Sequence, residues 1–359
     1  MRRLGSIGAA LVVALVCCIR IATAAPDPSS GDFLLAPPRQ TGPVVVRAHF
    51  EFHDILEIDD REEAFEFFGV LTLTWKDPRQ SFDPAVAGVD EKDFQGNSQL
   101  DEVATGWHPQ VVLANESGSY ETSGVALRVQ PDGTSTLIQM ITAAAQAELN
   151  MRRYPFDKHH LEAIFEVLGF DQEEVVMVVD SSRADSLLGG DIRTPHWRIT
   201  RSGKEIRNRP ASYAGHRGVA SVFIASVDVE RKPFFIIRLV VLPLIVIVLL
   251  SFSVFWMDRS SLGDRINVSF IGILTGVAYQ SVISDSMLHI SYFTLIHGFL
   301  NLSFFTMCAT VVINLVVGAM DQKGKRDFGD RIDHHCRWAF PFTYFGLIFV
   351  MLGVAFLIF

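Results

Sequence analysis

Four stretches without a charged side chain, Leu239–Met257, Ile266–Ser284, Met287–Met320 and Trp338–Phe359, follow one another in the last third of this 359-residue chain. Each is long enough to cross a bilayer, since about 20 residues at roughly 1.5 Å rise span the hydrocarbon core. Four transmembrane helices are therefore expected, at about 233–257, 263–285, 290–320 and 336–359. The connection 258–265 carries Arg259 and Arg265, and the linker 321–337 carries Lys323, Lys325, Arg326, Arg331 and Arg337, whereas 285–291 has no base except histidine. The positive-inside rule places the first two in the cytoplasm. The N-terminal region and the C-terminus then lie outside, in a multi-pass protein of the plasma (inner) membrane.

The region before Lys232 has another texture. From Ala25 to Arg231 there are 33 acids against 19 lysines and arginines, and from Lys232 to Phe359 there are 7 against 9. An acidic exported domain repels nucleic acid and attracts cations. Its main signal is period-two alternation: "RAHFEFH" sets Ala48, Phe50 and Phe52 on one face and Arg47, His49, Glu51 and His53 on the other, and "FGVLTLTW" repeats this with Leu71, Leu73 and Trp75 inward. Many strands without a convincing helix point to a β-sandwich. The basic start, apolar middle and Ala22-Thr23-Ala24 end of the first residues read as a secretory signal over 1–24. A lipid anchor at Cys17 or Cys18 is the rival, disfavoured by the bulk of Val16. The expected organisation is a signal peptide at 1–24, an extracellular β-sandwich at 25–231 and an all-α four-helix transmembrane domain at 232–359. Cys308 and Cys336 lie in or beside membrane segments, so no disulfide framework can be drawn.

The second span keeps a polar seam. Wound at about 100° per residue, Asn267, Ile271, Leu274, Ala278, Ser281 and Asp285 fall within about 40° of one line, with Asp264 about 60° away at the cytoplasmic end. Gly272 and Gly276 mark the opposite side. One reading is a packed helix that dimerises through this glycine pair. The other surrounds water with several copies of the helix, so that each acid becomes a ring concentrating cations and Ile271 and Leu274 become rings that dewet and close. Only the second gives the acids at both ends a role, and periodicity leaves both open.

Five motifs add to this. "WKDPR" (Trp75–Arg79), "WHPQVVLAN" (Trp107–Asn115), "RYPFD" (Arg153–Asp157), "ERKPFFIIRLVVLP" (Glu230–Pro243) and "GDRINVSF" (Gly263–Phe270) stand in the order and spacing of one family. The chain resembles the pentameric ligand-gated ion channels of the Cys-loop receptor superfamily, and most of all the short prokaryotic members that lack the loop disulfide, here with Ala147 and Leu161 in place of its cysteines. The resemblance implies a homopentamer in a lipid bilayer whose second helix lines the pore. It gives Asp264 the selectivity role and Leu274 the gate, and it makes Asp60, Pro155, Phe156, Asp157 and Arg231 the residues that couple the two domains. The rival for Asp264 is a carboxylate merely paired with Arg265.

The resemblance also places an agonist site. Positions that carry the aromatic cage in acetylcholine receptors are Val70, Ala114 and Leu168 here, and without stacked rings the cation–π attraction for quaternary ammonium is missing. Acetylcholine is not expected. Phe68, Phe170 and Tyr213 lie near the same loops and leave room for an apolar or primary-amine ligand. His159, His160 and His289 at the domain seam make protons the alternative trigger. Monovalent cations, with calcium as a further candidate, are the expected permeants. No enzyme motif stands out, no cofactor is implied, and His334 and His335 are adjacent rather than spaced to share a metal. A non-conducting membrane-anchored sensor is the alternative from another class, although one anchor helix would suffice for it.

Overall fold

The computed structural model describes residues 36–38, 42–98, 100, 106–182, 195–211, 218–257, 262–286 and 292–358. The signal segment expected at 1–24, Tyr213 and His289 lie outside these residues, and of Asp285 only the helical backbone is described.

Two sheets form the N-terminal sandwich. The first holds β1 (Val44–Asp59), β2 (Ala64–Lys76), β3 (Lys92–Gln95), β5 (Glu116–Val129), β6 (Thr134–Gln146) and β8 (Val175–Val179), in the order β3-β5-β6-β2-β1-β8. The second holds β4 (Val111–Leu113), β7 (Lys158–Val167), β9 (Trp197–Pro210) and β10 (Val219–Arg231), in the order β4-β7-β10-β9. Pairings among the described strands are antiparallel except β1 with β8, which run parallel from Val44↔Val175 to Ala48↔Val179. The alternation in the sequence becomes the core: Ala48, Phe50, Phe52, Leu71, Leu73 and Trp75 are all buried. The Phe50 ring lies 4.8 Å from Phe52 in its own strand and 4.9 Å from Phe165 in the facing sheet, which ties the layers together. Burying one such side chain contributes about 1.5–3 kcal/mol.

Four helices follow, each long and apolar enough to cross a membrane: α1 (Phe234–Trp256), α2 (Leu262–Ser286), α3 (Leu295–Gln322) and α4 (Arg326–Ile358). Within α1 the residues Ile237–Val241 form a π turn. Pro243 explains it, because proline has no N–H for the carbonyl four residues back and its ring crowds that group. That carbonyl belongs to Leu239, and the Tyr279 hydroxyl of α2 donates to it instead.

Two helix starts differ from the sequence expectation. The third helix begins at Leu295 rather than near 290, because the Thr294 side chain caps it by accepting from the His297 N–H. The fourth begins at Arg326 rather than near 336, so most of the charged stretch expected to be a linker is helical. Asp327 in its first turn suits the positive end of the helix dipole, and Asp333 faces a partner on α2.

Candidate functional site

The junction between sandwich and helices is organised by one arginine. β10 pairs with β7 through Glu230↔Lys158 and with β9 through Arg231↔Trp197, a register that brings the last residue of β10 level with Asp157, just before β7. The Arg231 N–H donates to the Asp157 carbonyl at 3.1 Å. Its Nε donates to both Asp157 carboxylate oxygens at 2.9 and 3.0 Å, and its Nη2 to both oxygens of Asp60, in the β1–β2 turn, at 2.8 Å each. The guanidinium lies over Trp197 at 4.1 Å and over Tyr154 at 4.8 Å. Paired with two carboxylates and flanked by two rings, the charge is held in one orientation. The side chains of Arg231, Asp60 and Asp157 are 9%, 13% and 0% exposed. His159 Nε2 completes the group at 2.6 Å from Asp157 Oδ2, with its ring edge-on to Trp197.

The two carboxylates titrate in opposite senses. Burial pushes the Asp60 pKa above the ordinary aspartate value, and Arg231 only partly offsets it. Burial opposes ionisation of Asp157 as well, but the His159 hydrogen bond and the Arg231 charge outweigh it and hold that pKa below the ordinary value. By linkage, the Asp60 contribution to stability is present below the ordinary aspartate pKa and is lost as pH rises through its raised value. That of Asp157 is present above the ordinary pKa and is lost only as pH falls through its lowered value. On acidification Asp60 is thus protonated first, while Asp157 still holds Arg231. A pH titration of tryptophan emission, in which Trp197 reports on the guanidinium, should show an acid step above the ordinary aspartate pKa that is missing in Asp60→Asn. An unchanged step in that variant would assign it to another group.

The loop 148–157 ties this cluster to the helices. Met151 N–H donates to the Tyr292 hydroxyl at 3.0 Å, that hydroxyl donates to the Leu149 carbonyl at 3.2 Å, and the Leu295 N–H at the start of α3 donates to the Arg152 carbonyl at 3.0 Å. Pro155 is buried, and the Phe156 ring lies 5.8 Å from Phe356 near the end of α4. Sequence reasoning did not find the α4 contact, because nothing local pairs residues so far apart. It also missed Asn115. That side chain donates to the Gln146 and Glu162 carbonyls at 2.9 and 2.8 Å and accepts from the Ile164 N–H at 3.1 Å. It thereby clasps the two stems of the loop beside Ala147 and Leu161, where no disulfide can form. An asparagine two residues after a short strand was the available signal.

On α2 the faces divide sharply. Asp264, Asn267, Ile271, Leu274, Ala278 and Ser281 are exposed in the single chain, Leu274 by 70%. Arg265, Ser269, Gly276 and Ile283 are buried on the other side. A Cβ at Gly272 would stand 2.3 Å from Ser251 Oγ on α1, and one at Gly276 2.4 Å from Met307 Cε on α3. Both glycines are used inside the subunit, so the alternative of a helix dimerised through them does not hold. Arg265 is likewise turned from Asp264 toward Asp333 of α4, which it meets at 2.9 Å.

The residues expected around a ligand divide between the sheets. Phe68 and Val70 lie on β2, where the Phe68 ring is 5.7 Å from His53. Ala114 and Leu168 follow β4 and β7 of the other sheet, with Phe170 edge-on to Trp107 at 6.0 Å. Phe170 thus takes part in packing. His160 pairs with Asp228 at 2.6 Å on the sandwich surface. The described residues contain no group of three or more His, Cys, Asp or Glu side chains placed to hold a metal ion.

The described residues thus combine a β-sandwich with four membrane-length helices, of which α2 is exposed along a whole face in the single chain. Comparison with known proteins places this combination in a family. Residues 32–232 match the neurotransmitter-gated ion-channel ligand binding domain. The chain is 24% identical to a proton-gated ion channel of Gloeobacter violaceus over 258 residues, 72% of this chain and 68% of that one. It is 25% identical to pH-sensitive chloride channel 2 of Anopheles gambiae, over 70% of this chain and 42% of that one. It is 23% identical to the acetylcholine receptor subunit beta of Xenopus laevis, over 68% of this chain and 49% of that one. The chain thus spans about two thirds of the first relative and less than half of the other two. It belongs to the neurotransmitter-gated ion-channel family, the pentameric ligand-gated channels of the Cys-loop superfamily, which are not enzymes.

Proposed function

We propose that this chain assembles as a homopentamer into a cation channel whose pore is lined by α2, with Asp264 as the selectivity ring and Leu274, backed by Ile271, as the gate. The observation that carries this reading is the division of α2. An acid at its cytoplasmic end, Asn267 and Ser281 along its length and Leu274 between them all lie on the side turned from α1, α3 and α4. Asp285 continues the line at the outer end. Family membership leaves the charge of the permeant open, since one relative is named a chloride channel. The reading therefore rests on Asp264, whose five copies would gather monovalent cations and calcium at the mouth.

Opening is driven by a small apolar or primary-amine agonist bound between neighbouring sandwiches. In this reading Phe68 and Val70 of one subunit face Ala114, Leu168 and Phe170 of the next, and Tyr213, outside the described residues, is assigned to the same site by resemblance alone. Phe68 and Val70 lie on β2 of one sheet, whereas Ala114 and Leu168 follow β4 and β7 of the other, a division that supports a site completed by two subunits. The agonist shifts the closed–open equilibrium by binding the open form better, and the cluster of Asp60, Asp157 and Arg231, with Pro155 and Phe156, carries that shift to the helices. A second reading, gating by protons, is favoured by the raised pKa of Asp60 within this cluster.

Planar-bilayer recording under a NaCl gradient tests the conduction reading. Wild-type channels should prefer sodium over chloride, and Asp264→Ala should bring the permeability ratio toward unity. Silent membranes through pH steps and amine ligands, despite confirmed insertion, would favour the sensor instead.

A further inference from the structure

We infer that Asp333, on α4, determines charge selectivity by holding the Arg265 guanidinium at the back of α2. The inference rests on the pore proposed above.

Asp264 and Arg265 are neighbours of opposite sign in the first turn of α2. Were both to face the lumen, five positive and five negative charges at one level would largely cancel. The structure separates them. Asp264 is exposed, whereas Arg265 is 1% exposed and is held from two other helices. Its Nη1 donates to Asp333 Oδ2 at 2.9 Å and its Nη2 to Asp333 Oδ1 at 3.1 Å, the two-point geometry that suits guanidinium to carboxylate. Nη2 also donates to Asn314 Oδ1 on α3 at 3.1 Å. The Asn314 amide in turn donates to Ser269 Oγ at 2.9 Å, and that hydroxyl donates back to the Arg265 carbonyl at 3.0 Å. The ring of bonds returns to the residue it began from.

This arrangement needs a charged partner. Arginine cannot shed its proton to suit a buried site, so without Asp333 its charge must seek water. Asp333 neutralises that charge where it stands, which leaves Asp264 as the exposed charge at the cytoplasmic end of α2 among the described residues. The early start of α4 then has a purpose: the helical turns from Arg326 onward bring Asp333 against α2.

The test measures reversal potentials of full-length channels under a NaCl gradient. Asp333→Asn keeps the shape but removes the charge, and should lower the sodium-to-chloride permeability ratio by about tenfold. Arg265→Gln combined with Asp333→Asn should restore the wild-type ratio, because no misplaced charge remains. A defect of folding alone would change current amplitude and not this ratio. An unchanged ratio in Asp333→Asn, or a double variant as unselective as the single one, overturns the inference. If Asp333→Asn gives no current, Asn314→Ala decides: it loosens the same guanidinium, so a lowered ratio supports the inference and a wild-type ratio overturns it. Failure of the pore reading looks different, as an anion-selective wild type or an Asp264→Ala channel with unaltered selectivity.

Discussion

Arg231→Gln should destabilise the protein by about 3–5 kcal/mol, the usual penalty for breaking a buried ion pair from one side. Asp157 is fully buried and loses the guanidinium, keeping the His159 hydrogen bond, once Arg231 is gone, while Asp60 loses the partner that compensates its burial. The lost packing adds to this, since Trp197 and Tyr154 both lie against the guanidinium. Thermal unfolding of the detergent-solubilised protein measures the effect, with Asp157→Asn and Asp60→Asn for comparison. The expected order at neutral pH is Arg231→Gln, then Asp157→Asn, then Asp60→Asn, because the Asp157 carboxylate is stabilised in place and the Asp60 carboxylate is not. Equal losses for the two aspartate variants would mean that the asymmetry of the cluster has been misread.

The second large effect is expected at Leu274. A hydrophobic constriction closes because water is unstable between apolar walls, and a serine ring rewets it. Complete burial of a leucine contributes about 1.5–3 kcal/mol, so even about 0.5 kcal/mol per subunit, added over five subunits, shifts the closed–open equilibrium by roughly 70-fold. Leu274→Ser channels should therefore open at far lower agonist or proton concentration, or without either, when dose–response curves are recorded in bilayers. Val277→Ser is the control, being exposed on the same helix but well off the line through Leu274. If Val277→Ser shifted the curve as much as Leu274→Ser, the gate would not be a ring of that leucine.

Much of this was readable one segment at a time. Alternation in β1 and β2 announced the apolar side chains that are buried, because successive residues of a strand face opposite ways whatever the strand pairs with, but not the burial of His49, which it set on the outward face. The four spans were readable for a similar reason, since length and apolarity decide what can cross a bilayer. Asp60, Asp157 and Arg231 could be placed near one another only through motif order; their shared geometry, with Trp197 and Tyr154 as its walls, came from the strand register.

What escaped were the contacts between distant segments. The charges of 321–337 read as a linker, yet most of that stretch is helix, and Asp333 has its partner on another helix. Asn115 looked like the end of a motif and proved to clasp both stems of a loop.

The amino-acid order by itself determined the two-part architecture, the sides of its strands and the line of residues along α2, because each depends on periods of two or 3.6 residues and on solvent preference. The tertiary structure alone decided which charges neutralise each other. Coulomb energy depends on separation in space, and Arg231 with Asp60, or Arg265 with Asp333, become neighbours only when strands and helices from remote parts of the chain are set side by side.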